Sequence, residues 1–513
     1  MAGPAIDPIY STQLTQTRNA SIGSRVCLVL MLLFSLFFAA YHSDTAYSSD
    51  EVWSVKTASL DYDAEMTALK SDVHPPLYFQ LLHGWIRLVG TGERAVRSLS
   101  GVFYILAALS LYGLGRELLG TRVSLFSTAI YVSSPLAILS AQFARMYSLL
   151  SLLSILSTWF YLQFWLKNRQ RSWLVVLYVA VNVLGTFTHI AFFFVLFAQA
   201  AFALLCYRRV RIKTFPIAIF LSAVPYLFLW VPVLVKQIRT SSEGLAWVKS
   251  PGLSMVGDLF LLYGGAFWIF VPVLLYLWWR HGFKWWGAPD ETAGFPHLPF
   301  WLLIITFSTP LLISFVKPIF NSRLAIVGLH LFALTVGAIA GKVANYVWPL
   351  LLITLTVCFI VLVHPASEAC DNRALATYLS QNAADGDAAI FTSLTRLPVD
   401  YYLERTPTHK TLFETSFPTE IDRHPGYEGR INDPARRTAL EQEAQELVDN
   451  IEEMQLKHRG LRVFFFHGSH AEVDSIIETR LKERFELVPD QEVRCSEGSP
   501  YLKQISVYRQ KDY

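Results

Sequence analysis

Asp50 and Glu51 are adjacent carboxylates just beyond the first long apolar run of the chain, and His74-Pro75-Pro76-Leu77-Tyr78 follows soon after. A carboxylate within hydrogen-bond reach of a hydroxyl can serve as a general base. Two adjacent ones repel, which raises one pKa unless a cation or metal intervenes. Pro75 and Pro76 each disfavour helix at the preceding residue, so His74 sits in stiff backbone where its ring can donate to a phosphate oxygen. Ala144-Arg145-Met146-Tyr147 brings a planar guanidinium suited to bidentate phosphate contact, beside an aromatic ring. Lys317, Asn321 and Arg323 place two cations next to an amide, and Thr188-His189 adds a second imidazole. Tyr78, Tyr147, His189 and Asn321 are the candidates for the remaining substrate contacts. Taken singly, each feature has an ordinary explanation, such as a solvated acidic turn or an interface-anchoring Arg or Tyr. Together, a base, cations and aromatic walls suit a substrate with a hydroxyl, a phosphate and a lipid tail.

The rest of the chain is built to hold such groups at a membrane. Of 513 residues, 53% are hydrophobic and only 16% charged, against about 25% charged in soluble domains. Mean hydropathy is +0.37. This composition predicts a polytopic α-helical membrane protein. The net charge of +3 argues against nucleic acid as a partner; the basic residues are better explained by membrane topology. Residues 1–25 read as a polar, disordered cytoplasmic tail. An uncleaved first span begins at Val26, and further apolar runs occupy roughly 95–115, 121–140, 147–166, 173–187, 190–206, 214–235, 256–279, 299–316, 323–341 and 346–363. By a bilayer criterion of about 20 residues these make about eleven spans within a membrane domain of 26–363. Leu77–Val89 is amphipathic and reads as an interfacial or re-entrant helix in the first external loop, 42–94.

Basic residues recur on alternate loops, at Arg116 and Arg122, Lys167 to Arg171, Arg208 to Lys213 and Arg280 to Lys284. Positive loops mark the cytoplasmic side. The other side then carries Asp50-Glu51, the Arg145 loop and the loop ending at Arg323, as well as everything after Val363. In that last part, 364–513, strands at Ala388–Phe391, Leu461–Phe466 and Ile505–Tyr508 alternate with helices at Asn372–Gln381 and Ala439–Gln455, predicting a small extracytoplasmic α/β domain. Outside the cytoplasm Cys370 and Cys495 are free to oxidise, and a disulfide between them is one reading and two thiols the other.

The order Asp50-Glu51, then His74-Pro75-Pro76-Leu77-Tyr78, then Glu93-Arg94-Ala95-Val96-Arg97-Ser98-Leu99-Ser100, then Ala144-Arg145-Met146-Tyr147-Ser148-Leu149-Leu150 resembles the bacterial branch of the GT-C glycosyltransferases. These are related to protein O-mannosyltransferases and to the aminoarabinose and galacturonic acid transferases of lipopolysaccharide. The likeness is strong over about 26–210, moderate through 342, and positional beyond. It implies a polyprenyl-phosphate-linked sugar as donor, a lipid, glycan or protein acceptor met on the outer face, and residence in the bacterial inner membrane among its lipids. It implies that Asp50 matches the family's catalytic aspartate. His74 stands where the aminoarabinose branch often has lysine, and Leu324 replaces the aromatic that follows the family's Arg at the position of Arg323. The implied reaction is an inverting displacement, with Asp50 as base and His74, Arg145, Lys317 and Arg323 on the donor phosphate. Glu51 is the second catalytic candidate, orienting the acceptor or helping to hold a divalent cation (Mg or Mn); no other cofactor is implied. A flippase for lipid-linked sugars is the alternative. It should show internal repeats and midplane charges, whereas no motif order repeats here and the charges cluster at the rim. A sensor or assembly role for the outer domain is a third reading.

Overall fold

The computed structural model describes residues 8–71, 74–167, 169, 171–205, 214–240, 252–272, 275, 276, 279, 297–340, 347–363, 372–406, 410–422, 434–457, 460–468, 471–489 and 505–511. The chain divides into two compact units. One comprises Met1–Ser43, Asp61–Leu234 and Ser250–His364; the other comprises Asp44–Leu60, Val235–Lys249 and Pro365–Tyr513. Cys370 and Cys495 lie outside the described residues, as do the loops Arg208 to Lys213 and Arg280 to Lys284; residues 8–25, expected to be disordered, instead form the start of the helix Pro8–Ala40.

The first unit is helical. Among its described residues, three helices are long and apolar enough to cross a membrane: Ile22–Ala40, Glu93–Leu119 and Tyr147–Leu166. Two further runs are bent pairs, Thr121–Ser133 with Pro135–Ala141 at 61° and Phe215–Leu229 with Val231–Gln237 at 53°. Six shorter apolar helices lie at Ser172–Thr188, Phe192–Leu205, Gly257–Phe270, Leu298–Ser314, Arg323–Ile339 and Val347–Ile360. The bend at Ser134 has a local cause. Pro135 opens the second helix, and Ser134 before it is extended (ψ 126°), as the proline ring requires. Gly265, at φ +48°, ends the neighbouring helix Leu253–Gly264; a Cβ there would lie 2.7 Å from Pro135 Cδ, so both its backbone and its surroundings call for glycine.

These helices are apolar on nearly every face, as membrane segments are. Met31 and Phe38 of the first helix are buried while Val26, Leu33 and Leu36 are more than half exposed, positions suited to lipid. Between helices the glue is polar: Ser157 Oγ donates to Asn182 Oδ1 (2.7 Å), Gln199 Nε2 to Ser157 Oγ (2.9 Å) and Tyr178 Oη to Gln199 Oε1 (2.5 Å). Buried polar groups of this kind must find partners inside the bundle. The helix Leu77–Val89 forms as the pattern predicts, burying Tyr78, Phe79 and Leu82 and exposing Leu81, Leu88 and Val89.

The second unit is α/β. Five strands, β1 (Ala388–Thr392), β2 (Phe413–Phe417), β3 (Arg462–Phe466), β4 (Phe485–Leu487) and β5 (Ile505–Gln510), pair in the order β2-β1-β3-β5-β4. β1 is parallel to β2 and β3, whereas β5 is antiparallel to β3 and β4. On one face Ile390, Val463, Phe465 and Tyr508 pack with Leu440, Ala444 and Val448 of the helix Pro434–Lys457 and with Ile477 and Leu481 of the helix Ala471–Arg484. Every residue of β1 is buried, as in a strand covered on both faces. Sequence patterning finds β1, β3 and β5 but passes over β2 and β4. β2 lies at a sheet edge and reads Phe-Glu-Thr-Ser-Phe, and β4 is three residues following directly on a helix. The same unit contains the helix Ser49–Ala58, which carries Asp50 and Glu51.

Candidate active site

In the membrane unit, His74, Arg145, His189 and Tyr147 come together. Arg145, 5% exposed, donates from Nη2 to His74 Nε2 at 3.1 Å. A guanidinium can only donate, so His74 accepts at Nε2 and carries its proton on Nδ1. The His189 ring lies 6.0 Å from His74 and 6.3 Å from Tyr147, centroid to centroid. Its Nδ1 accepts the Ala191 N–H at 3.0 Å, which puts the His189 proton on Nε2. Burial, aided by the neighbouring His74 and the Arg145 guanidinium, pushes the His189 pKa down to about 3. The ring therefore stays neutral near pH 7. No described residue pairs with His189 Nε2 or with Tyr147 Oη.

The backbone explains how these side chains meet. Arg145 lies in the turn between Pro135–Ala141 and the helix starting at Tyr147, folded tightly enough for Arg145 N–H to reach the Phe143 carbonyl at 2.7 Å. Ser100, fully buried, donates to that same carbonyl at 2.8 Å, and its hydroxyl meets Tyr78 Oη at 3.3 Å. His189 caps the helix Ser172–Thr188 in extended backbone, and the chain then folds back so closely that a Cβ on Gly185 would come within 2.4 Å of the Phe192 ring. Arg97 donates to the Ser43 carbonyl at 2.9 Å, and Gln142 to those of Phe38 and Tyr41 at 2.6 and 2.9 Å. These contacts satisfy carbonyls left open at the end of the first helix.

The residues near 320 join only in part. The Arg323 guanidinium lies 5.5 Å over the Phe143 ring, which is nearly parallel to Tyr147 at 6.4 Å. Asn321 turns its side-chain oxygen to the Leu324 N–H (3.1 Å), capping the turn Ser322–Ala325. Lys317 is exposed, and its ammonium pairs with no described residue. Tyr78 is fully buried, with its hydroxyl against Ser100 Oγ. Phe143 and Ser100 escape the sequence reading. Phe143 stands two residues before Arg145 and an aromatic there draws no notice among so many; Ser100 lies at the end of the quoted Glu93-to-Ser100 motif.

The two carboxylates part company. Ser48 N–H and Oγ both reach Glu51 Oε2, at 3.0 and 3.1 Å, and Glu51 is 2% exposed. This is a capping box, and Ser48-Ser49-Asp50-Glu51 carries its sequence signature. Glu51 is thereby a structural cap, where sequence reading expects a catalytic or metal-holding side chain. Asp50, half-buried in the same first turn, gains from the helix N-terminal dipole in its ionised form. Among the described residues no group of three or more His, Cys, Asp or Glu is placed to share a metal ion.

Residues 73–235 match the family model of dolichyl-phosphate-mannose-protein mannosyltransferases. No curated protein matches the chain by sequence. Among solved structures, ArnT from Cupriavidus metallidurans bound to undecaprenyl phosphate is similar at a TM-score of 0.54 and 12% identity, covering 94% of this chain and 97% of that one. The archaeal oligosaccharyltransferase AglB from Archaeoglobus fulgidus, in complex with an inhibitory peptide and a dolichol-phosphate, is similar at a TM-score of 0.50 and 11% identity, covering 94% and 74%. Over residues 73–235 the chain thus resembles that mannosyltransferase family, and it shares its fold with ArnT and AglB.

Proposed function

We propose that this protein transfers a sugar from a polyprenyl-phosphate donor to an acceptor hydroxyl on the extracytoplasmic face of the bacterial inner membrane, in a bundle that crosses that membrane about eleven times. The observation that carries this reading is the chemistry of the Arg145 cluster. A buried guanidinium, two imidazoles and a tyrosine lie side by side in one cluster, a donor-rich set that suits an anion such as a phosphodiester. The cluster lies within the segment that matches the mannosyltransferase family. The lipid phosphates named with the two solved structures support a polyprenyl carrier, and the chain's wide apolar exterior provides for its tail.

In this reaction Asp50 takes the proton from the acceptor hydroxyl as its oxygen bonds to the anomeric carbon. The bond from that carbon to the phosphate oxygen breaks, its electron pair going to the phosphate, and the configuration inverts. Charge grows on the departing phosphate, where Arg145, His74 and His189 stabilise it. Arg323 lends a further positive charge above Phe143. Glu51 contributes by fixing the start of the helix that bears Asp50.

The test is to supply membranes containing the protein with a panel of synthetic polyprenyl-phosphate hexoses and pentoses and to weigh the products. A mass increase on an endogenous acceptor, with free polyprenyl phosphate released, is the expected result and identifies donor and acceptor together. No transfer with any donor, together with movement of the intact donor between leaflets, would establish a flippase instead.

A further inference from the structure

The segment that bears Asp50 is seated on the C-terminal half of the chain. The helix Ser49–Ala58 has ten residues, too few to hold its shape alone in water, so what it packs on decides where Asp50 stands. The seat is the helix Arg396–Leu403 with its neighbours. Both backbone polar groups of Tyr47 are taken: its N–H donates to Tyr402 Oη at 2.8 Å and its carbonyl accepts from Asn372 Nδ2 at 2.7 Å, partners 355 and 325 residues away. The Tyr47 ring is fully buried and meets Tyr401 edge-on at 5.7 Å. Ser49 Oγ donates to the Leu394 carbonyl at 2.6 Å, and Arg373 Nη2 to the Asp44 carbonyl at 3.2 Å. Lys56 pairs with Glu404 at 3.0 Å where the helix ends. Arg373 and Arg405 lie over the rings of Tyr402 and Tyr401 at 5.5 and 3.5 Å.

We propose that Tyr402 and Asn372 are positioning residues for Asp50, and that the C-terminal module serves as the scaffold of the catalytic carboxylate. This rests on the reading of Asp50 as the base. The physical reason is that a buried backbone N–H without a partner is costly. Removing the Tyr402 hydroxyl therefore frees the chain three residues before Asp50 to shift, and a misplacement of about 1 Å at a reacting group can cost on the order of 10²-fold in rate.

The experiment uses the full-length protein in nanodiscs. Tyr402→Phe keeps the ring and removes only the acceptor, and Asn372→Ala is the second variant should the first fold poorly. In either, amide hydrogen exchange over 47–58 quickens by about tenfold while exchange in β1 and β3 is unchanged. With the sugar-phosphate panel as donor, kcat falls by about 10–100-fold and the donor KM moves less than twofold. In an Asp50→Asn background, adding Tyr402→Phe lowers the residual rate no further, because the hydroxyl acts through Asp50. Wild-type exchange and kcat in both variants, or fully additive losses with Asp50→Asn, would overturn the proposal. Wild-type transfer by Asp50→Asn would sink the base assignment, while the exchange result would still decide whether the seat exists.

Discussion

The Arg145 cluster and the Asp50 helix are assembled in opposite ways. His74, Arg145 and His189 fall within one stretch of the membrane unit, each placed by a local device: a pair of prolines, a tight turn held by Ser100, a fold-back over Gly185. Asp50 owes its place to partners more than 300 residues away. Their electrostatics differ as well. The Arg145 cluster centres on a buried guanidinium, whereas the helix Arg396–Leu403 that the Asp50 segment packs on carries Asp400 and stands near Glu404 and Glu414, an environment that raises carboxyl pKa values. On the proposed assignment, the phosphate-binding chemistry is a local property of the chain and the placement of the base is a global one.

The comparison breaks most visibly at Arg145. Arg145→Gln removes a buried charge from the proposed phosphate site, so transfer should fall by at least about 10²-fold. Arg145→Lys should fail to restore it, since an ammonium lacks the planar fork. Steady-state rates with the donor panel check both, and a lysine variant at the wild-type rate would show that charge alone suffices.

A smaller effect sharpens the second region. Burial, with the nearby Glu414, pushes the Asp400 carboxyl up to about 7, opposed by Arg396 and Lys56. Its ordinary unfolded value is about 3.9. The folded state thus holds a proton that the unfolded state has already lost. The stabilising contribution is full below the unfolded pKa and disappears as pH rises through about 7. Asp400→Asn should flatten the decline in thermal midpoint between pH 5 and 8 by roughly 1–2 °C. Midpoints measured across that range decide it; an unchanged slope would show that Asp400 does not hold the extra proton.

Much of this was legible in the sequence, for identifiable reasons. His74-Pro75-Pro76 is a local signal, and the bend at Ser134 follows from Pro135. Apolar runs long enough to span are equally direct. Glu51 was legible too, since Ser48 three residues before it is a capping box, although its acidity drew attention first to catalysis. Tyr47, Tyr401, Tyr402 and Asn372 were not legible, because a hydrogen bond between residues 355 positions apart leaves no periodicity or spacing to read. Asn321 and Tyr78 show the converse: a polar or aromatic side chain at a helix end has the right chemistry for a ligand, and the structure adds a contact to the nearest backbone N–H or buried serine that spacing does not reveal.

The division of labour between the two regions is tested most directly by measuring polyprenyl-phosphate binding and sugar transfer in the same two variants, Asp50→Ala and Arg145→Gln. Asp50→Ala should bind the lipid phosphate as the wild type does and lose about 10²–10⁴-fold in transfer, whereas Arg145→Gln should lose both. Transfer by Asp50→Ala at the wild-type rate, or unweakened lipid-phosphate binding by Arg145→Gln, would contradict the account.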